Sequence, residues 1–156
     1  MKLPLYDTCY GDDFSLTLVK EKEYDCVVQK MSCPETVAKV MNSIFNLGYK
    51  SEEHCYMLAF NAKCRPLGVF FLSKGTINTT VLSPREVFMK ALLCGAEHII
   101  LIHNHPSKDT EPSIDDMTIT RRLVELGEML AVKVADHLII GGEEYYSFKA
   151  EGMLTE

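Results

Sequence analysis

No two of the six cysteines form a C-x-x-C pair. Cys9, Cys26, Cys33, Cys55, Cys64 and Cys94 mostly fall inside apolar segments, where a free thiol behaves as a small hydrophobe, so they read as reduced thiols of a cytosolic protein. Basic charge is also scarce. Sixteen Lys and Arg stand against 22 Asp and Glu, a formal net charge of -6, which offers no broad footing on duplex DNA or an anionic membrane. A nucleic-acid role would need a local basic patch. The opening MKLPLYDTCYGDD has no apolar h-region, and no apolar run approaches the roughly 20 residues of a membrane-spanning helix. The expectation is a soluble, cytoplasmic protein of bacterial intracellular type. Low-complexity tracts, repeats and visible linkers are missing too, and the longest charge block is KEKE at Lys20–Glu23. A chain of 156 residues is then one compact domain, able to bury a core without disulfide staples.

What is present is an alternation of helical and extended patterns. Phe14–Val19 and Cys26–Val28 are short β-type runs separated by KEKEYD, which suggests an N-terminal hairpin within an extension covering 1–31. Ser32 and Glu35 have capping-box spacing, Pro34 suits a first turn, and Val37, Val40, Met41, Ile44 and Phe45 share a face, predicting a helix over 34–47. EHCYMLAF (53–60) and GVFFL (68–72) flank the turn-like NAKCRP and predict adjacent strands buried on both faces. Ser83, Pro84 and Glu86 repeat the cap pattern before a helix over 84–94. A strand over 96–102, a helix over 113–130, and a hairpin of 132–140 and 143–148 around Gly141-Gly142 complete the pattern. The predicted class is α/β (α+β), a mixed sheet flanked by about three helices.

The chemistry concentrates in HNHPSKDTEPSIDD, His103–Asp116. Residues i and i+2 of a strand share a side, so His103 and His105 can turn their rings to one point while Asn104 faces away. Asp116 would be the third ligand of a zinc ion, which takes imidazole nitrogen and carboxylate oxygen and in catalytic sites keeps a fourth position for water. Each piece alone has a bland explanation. A histidine pair can mark a polar loop, and Ser113-x-x-Asp116 is also a capping box with Asp in place of Glu. The whole set, H-x-H-x7-S-x-x-D, is harder to explain as caps.

That spacing resembles the JAMM (JAB/MPN) zinc metalloprotease family, and LIHNHPSKDTEPSIDD is similar to its RadC-like branch, which carries HNHPSGxxxPSxxD there. SEEHCYMLAFNAKCRPLG, GTINTTVLSPREVFMKALLCGA and VADHLIIGGEEYYSF also resemble branch segments, so the likeness runs over about 32–148. It implies a JAB/MPN-like domain over 32–149 of cytidine-deaminase-like architecture, followed by a tail over 150–156. It also implies one Zn2+ with a bound water on His103, His105 and Asp116, Ser113 hydrogen-bonding the oxyanion or scissile carbonyl, and Glu53 as general acid/base. The implied reaction is hydrolysis of a peptide or isopeptide bond in a protein substrate. A zinc-activated water does need a proton acceptor that is not a ligand, and no H-E-x-x-H helix exists here to supply one.

Rival assignments stand beside these. Glu52 competes with Glu53, since one residue reverses the face of a strand. Asp109 and Asp115 compete with Asp116. A structural zinc site would need a fourth protein ligand, a cysteine or His137. His54 and His98 read as strand-surface or core-edge groups, and Asp136-His137 as a strand-end pair or as a support that orients a ligand. Lys108 stands where the branch usually has Gly, so a position wanting positive φ would be strained. The alternative class is a non-catalytic or DNA-associated RadC-like protein, against which the acidic charge leans. An HNH nuclease is set aside because its residues are dispersed over a ββα finger. Oligomeric state has no signal in the residues.

Overall fold

The computed structural model describes residues 1–26, 28–75 and 82–154. Val27 of the Cys26–Val28 run, residues 76–81 of the segment leading to the second helix, and residues 155–156 of the tail lie outside the described residues. The elements are β1 (Lys2–Tyr10), β2 (Leu16–Asp25), α1 (Pro34–Phe45), a 3-10 turn (Leu47–Tyr49), β3 (Glu53–Phe60), β4 (Pro66–Gly75), α2 (Pro84–Leu93), β5 (His98–Asn104), α3 (Ile114–Leu130), β6 (Lys133–Gly141) and β7 (Glu144–Ser147). The strands form one mixed sheet in the order β2-β1-β4-β3-β5-β6-β7, with β1/β4 and β5/β6 parallel and the other pairs antiparallel. This is the expected mixed α/β architecture. None of the described helices is long and apolar enough to cross a membrane.

EHCYMLAF lacks polar alternation because both of its faces are covered. Tyr56, Leu58 and Phe60 pack with Val37, Val40 and Met41 of α1, while Met57 and Ala59 pack with Val87, Phe88 and Ala91 of α2 and Leu123 of α3. Burying a side chain the size of Leu58 stabilises by about 1.5–3 kcal/mol. In β4 only Gly68–Phe70 is as deep, and Phe71 is exposed, so double-sided burial holds for β3 and for three residues of its neighbour.

The N-terminal hairpin exists, but its strands are not the predicted ones. KEKE lies inside β2, and its partner is the opening run KLPLYDTCY, with Lys2 opposite Asp25 and Tyr10 opposite Leu16. The turn is Gly11–Ser15, where the Asp13 carboxylate accepts from the Ser15 amide at 3.0 Å and Phe14 adopts φ 61. Charges inside β2 suit its place at the sheet edge, where lysine and glutamate discourage pairing with another chain. Both N-terminal cap expectations also need correction. The residue before a proline is held extended, so Cys33 (φ -147, ψ 158), not Ser32, caps α1, and neither Cys33 nor Ser83 makes a side-chain cap bond. Helix α1 ends on Asn46 in the left-handed region at φ 52, short of the predicted 47.

At the end of the sheet where β5 finishes, three stretches of backbone meet. The Gly142 amide donates to the Gly48 carbonyl at 2.9 Å, and Asn42 ties both glycines to α1, its Nδ2 donating to the Gly142 carbonyl at 2.8 Å and its Oδ1 accepting from the Gly48 amide at 2.7 Å. A Cβ on Gly48 would stand 2.1 Å from the Gly142 oxygen. Gly48→Ala is therefore expected to lower stability by about 1–3 kcal/mol, read as a fall in the urea midpoint. A midpoint equal to the parent's would show that this contact is not tight.

Candidate metal centre

Strand β5 delivers His103 toward α3 and Asn104 toward the other face. Asn104 is fully buried, and a buried amide needs partners. Its Oδ1 accepts from the His54 amide at 2.8 Å, and its Nδ2 donates to the Glu52 carbonyl at 3.1 Å and the Lys50 carbonyl at 3.4 Å. It thereby pins the lead into β3. Sequence reasoning had Asn104 merely facing away; the only hint was a carboxamide on a strand too apolar to leave it unpaired.

His105 follows β5, its amide bonded to the Ile140 carbonyl at 3.0 Å. Its Nδ1 lies 2.7 Å from the Asp109 carbonyl, which can only accept, so Nδ1 carries the hydrogen. Asp109 thus serves through its backbone, while its carboxylate accepts from the Glu111 amide. Helix α3 opens on the capping box expected from S-x-x-D. The Ser113 amide donates to Asp116 Oδ2 at 2.8 Å, Ser113 Oγ donates to the same oxygen at 2.6 Å, and the Asp116 amide donates to Ser113 Oγ at 3.1 Å.

These local structures converge. His103 Nε2 and His105 Nε2 are 3.1 Å apart, Asp116 Oδ1 is 3.2 Å from the first, and Asp116 Oδ2 is 3.4 Å from the second. Among the described residues, this trio is the group of histidine, cysteine and acidic side chains placed to hold a metal ion. Asp115 is outside it, exposed on the first turn of α3. Burial alone would raise the Asp116 carboxyl, but hydrogen bonds from His103 and His105 in their protonated forms, the charge of His103 and the bond from Ser113 hold it well below the usual carboxylate range. Burial works to lower His105, yet Asp116, the Asp109 carbonyl and the charge of Glu53 together raise it.

A RadC-like JAB domain model matches residues 31–153. The chain belongs to this family. Among its relatives, a UPF0758 protein of Desulforudis audaxviator (strain MP104C) is 45% identical over 105 residues, 67% of this chain and 46% of that protein. Another, from Caldanaerobacter subterraneus subsp. tengcongensis, is 40% identical over 122 residues, 78% of this chain and 52% of that protein. A third, from Staphylococcus haemolyticus (strain JCSC1435), is 40% identical over 123 residues, 79% of this chain and 53% of that protein. The chain spans about half the length of the curated relatives it matches.

Around the trio, this RadC-like JAB domain sorts the rival residues. In the β3/β5 ladder Cys55 stands opposite His103, so Cys55 and, two residues earlier, Glu53 share its face. Burial raises the Cys55 thiol, with the charges of Asp116 and Glu53 adding to the rise. Glu52 points the other way, into an ion pair with Lys74 at 2.5 Å. His54 sits half-buried with its ring edge on Phe71, and His98 stacks on Phe60 at 5.1 Å. The pair Asp136-His137 lies within β6, not at a strand end, and it splits. Asp136 accepts from the His137 and Lys149 amides and from Ser147 Oγ at 2.6 Å, far from any ligand role. His137 is fully buried, and its Nε2 lies 2.9 Å from His103 Nδ1, behind the His103 ring and not on the side of the convergence. Thr120, whose Oγ1 meets His137 Nδ1 at 2.6 Å, was not picked out from the sequence.

Lys108 occupies the left-handed region at φ 65, as the glycine usual there suggested. Its backbone packs on Gly141, whose Cβ, if present, would lie 2.5 Å from the Lys108 carbonyl oxygen, and its Nζ lies 5.2 Å from the Tyr49 ring centre. Lys108→Gly should leave stability within about 1 kcal/mol of the parent, because relief of strain and a more flexible unfolded chain offset each other, whereas Lys108→Val should cost about 1–3 kcal/mol. Equal denaturation midpoints for the two variants would contradict this.

The depressed Asp116 carboxyl sets an acid limit for the metal-free chain. A carboxyl lowered in the folded state contributes stability that is present above its unfolded value near ~4 and is lost as pH falls below it. Asp116→Asn should reduce stability at pH 7 and flatten the loss on acidification below pH ~4, measured as urea midpoint against pH. Superimposable profiles for the two proteins would refute the assignment.

Proposed function

We propose that this domain is a zinc-dependent hydrolase of amide bonds, a metallopeptidase or isopeptidase, with His103, His105 and Asp116 as ligands. The observation that carries the reading is the donor spacing. Donors at about 2.0–2.2 Å from a tetrahedral zinc are about 3.3–3.6 Å from one another; here His103 Nε2 lies 3.1 Å from His105 Nε2 and 3.2 Å from Asp116 Oδ1, and one donor atom from each residue lies within 4.8 Å of the other two. Three protein donors leave room for a fourth. A zinc ion held there supplies a Lewis acid and a water acidified toward pKa ~7.

The rest falls to the chain. Glu53 shares the face of His103 and lies near enough for its charge to raise His105, which suits a carboxylate that takes a proton from the water and returns it to the leaving amine nitrogen. Asn104 supports that role by fixing the backbone on both sides of Glu53. Ser113 is the candidate donor to the oxyanion. Its single hydroxyl hydrogen is directed at Asp116 Oδ2, so oxyanion stabilisation requires the hydroxyl to turn away while the Ser113 amide keeps its own bond to that oxygen. The substrate class is a peptide or an isopeptide-linked protein. A nucleic-acid partner gains no support from a net charge of -6.

Glu53→Gln is expected to cut hydrolysis of a peptide and isopeptide library by about 10²–10⁴-fold while zinc stays bound. Retained hydrolysis in that variant would remove Glu53 from the mechanism. No hydrolysis by the parent, with salt-dependent DNA affinity, would favour the DNA-associated reading instead.

A further inference from the structure

We infer that Thr120 and His137 are positioning residues that fix the tautomer of His103, so that its Nε2 presents a lone pair to the metal position before any ion arrives. The inference rests on the metal-site reading above, not on the reaction assigned to it. The chain of contacts begins at an atom with one possible role. The Asp116 backbone carbonyl can only accept, and Thr120 Oγ1 lies 2.6 Å from it, so the single hydroxyl hydrogen of Thr120 points there. The hydroxyl oxygen must then accept from His137 Nδ1, also 2.6 Å away.

His137 is 1% exposed and stacks at 5.0 Å and 12° on Phe148, which fixes the plane of its ring. A neutral imidazole has one hydrogen, and here it is on Nδ1. Nε2 of His137 therefore accepts, and the donor 2.9 Å away is His103 Nδ1. His103 is left with a bare Nε2, 3.1 Å from the equally bare Nε2 of His105 and 3.2 Å from Asp116 Oδ1. With both histidines neutral, two lone pairs and a carboxylate oxygen then face one another with no hydrogen among them, an arrangement that calls for a cation, whether a metal ion or, on acidification, a proton. Running the chain in reverse would put a hydrogen on His103 Nε2, but it would also leave Thr120 Oγ1 and the Asp116 carbonyl as two oxygens 2.6 Å apart with nothing between them.

The path is closed, because the residue whose carbonyl ends it also supplies the third donor. The first turn of α3 thus sets both the Asp116 carboxylate and, through Thr120 and His137, the orientation of His103. A ligand histidine usually donates its other nitrogen to a carboxylate, a carbonyl or water; here a second imidazole takes that place.

The test reads tautomers in the metal-free chain by ¹⁵N-resolved imidazole spectra and zinc affinity by competition with a chromophoric chelator. In the parent and in Thr120→Ser, His103 is expected to carry its hydrogen on Nδ1, with zinc affinities within about threefold of each other, whereas Thr120→Val should populate the other tautomer and bind zinc about 10–100-fold more weakly. His105, held by Asp109, should keep its tautomer in all three. A hydrogen on His103 Nε2 in the parent, or undiminished zinc affinity in Thr120→Val, overturns the inference. The two readings fail separately. A parent that shows these tautomers and this zinc loss but hydrolyses nothing refutes the hydrolase, while an active parent whose Thr120→Val variant binds zinc normally refutes only the relay.

Discussion

The antiparallel register that places Cys55 opposite His103 governs this end of the molecule. Strand faces alternate with a period of two, so a slip of one residue would exchange Glu53 for Glu52 and turn the carboxylate beside the histidines toward Lys74. Two devices resist that slip. Burial of both faces of β3 makes every shifted register bury the wrong set of side chains, and the Asn104 carboxamide fastens the strand's leading residues by their backbone. The residue between the two histidines thus helps to hold Glu53 on their side of the sheet.

The loop after β5 depends on a different constraint, the absence of side chains. Gly48, Gly141 and Gly142 let the 3-10 turn, the β6–β7 turn and the loop from His105 to Asp109 approach at backbone distance. Lys108 is a non-glycine residue in that tight region and has to adopt a positive φ to stay within it. His105 is held from both sides, its amide by β6 and its ring by Asp109, so its freedom is small before any ion is considered.

The legible parts of the sequence were those in which a side-chain type and its spacing jointly dictate geometry. H-x-H at a strand end and S-x-x-D at a helix start place three donors by local structure alone, and the buried strand 53–60 was visible because no surface element is that evenly apolar. The hairpin is misplaced in the sequence reading because β2 is charged and exposed along its middle, and KEKE looks like a loop unless the edge of a sheet is known to lie there. The caps of α1 and α2 were over-read. In both, a proline at the first helical position already imposes the turn, and no side-chain bond is added. Asn104 and Thr120 have no spacing to announce them, since their roles arise from contacts spanning 50 and 17 residues of chain; His137 is visible in the sequence as a possible support for a ligand, but not the 34-residue contact that ties it to His103.

The capping box at the start of α3 also bears on denticity. Asp116 Oδ2 already accepts hydrogen bonds from the Ser113 amide and hydroxyl, so its lone pairs are largely committed to the helix end. A carboxylate engaged in this way is a one-oxygen donor. The same four residues that start a helix would therefore limit Asp116 to one oxygen toward an ion and would leave a coordination position to something that is not protein.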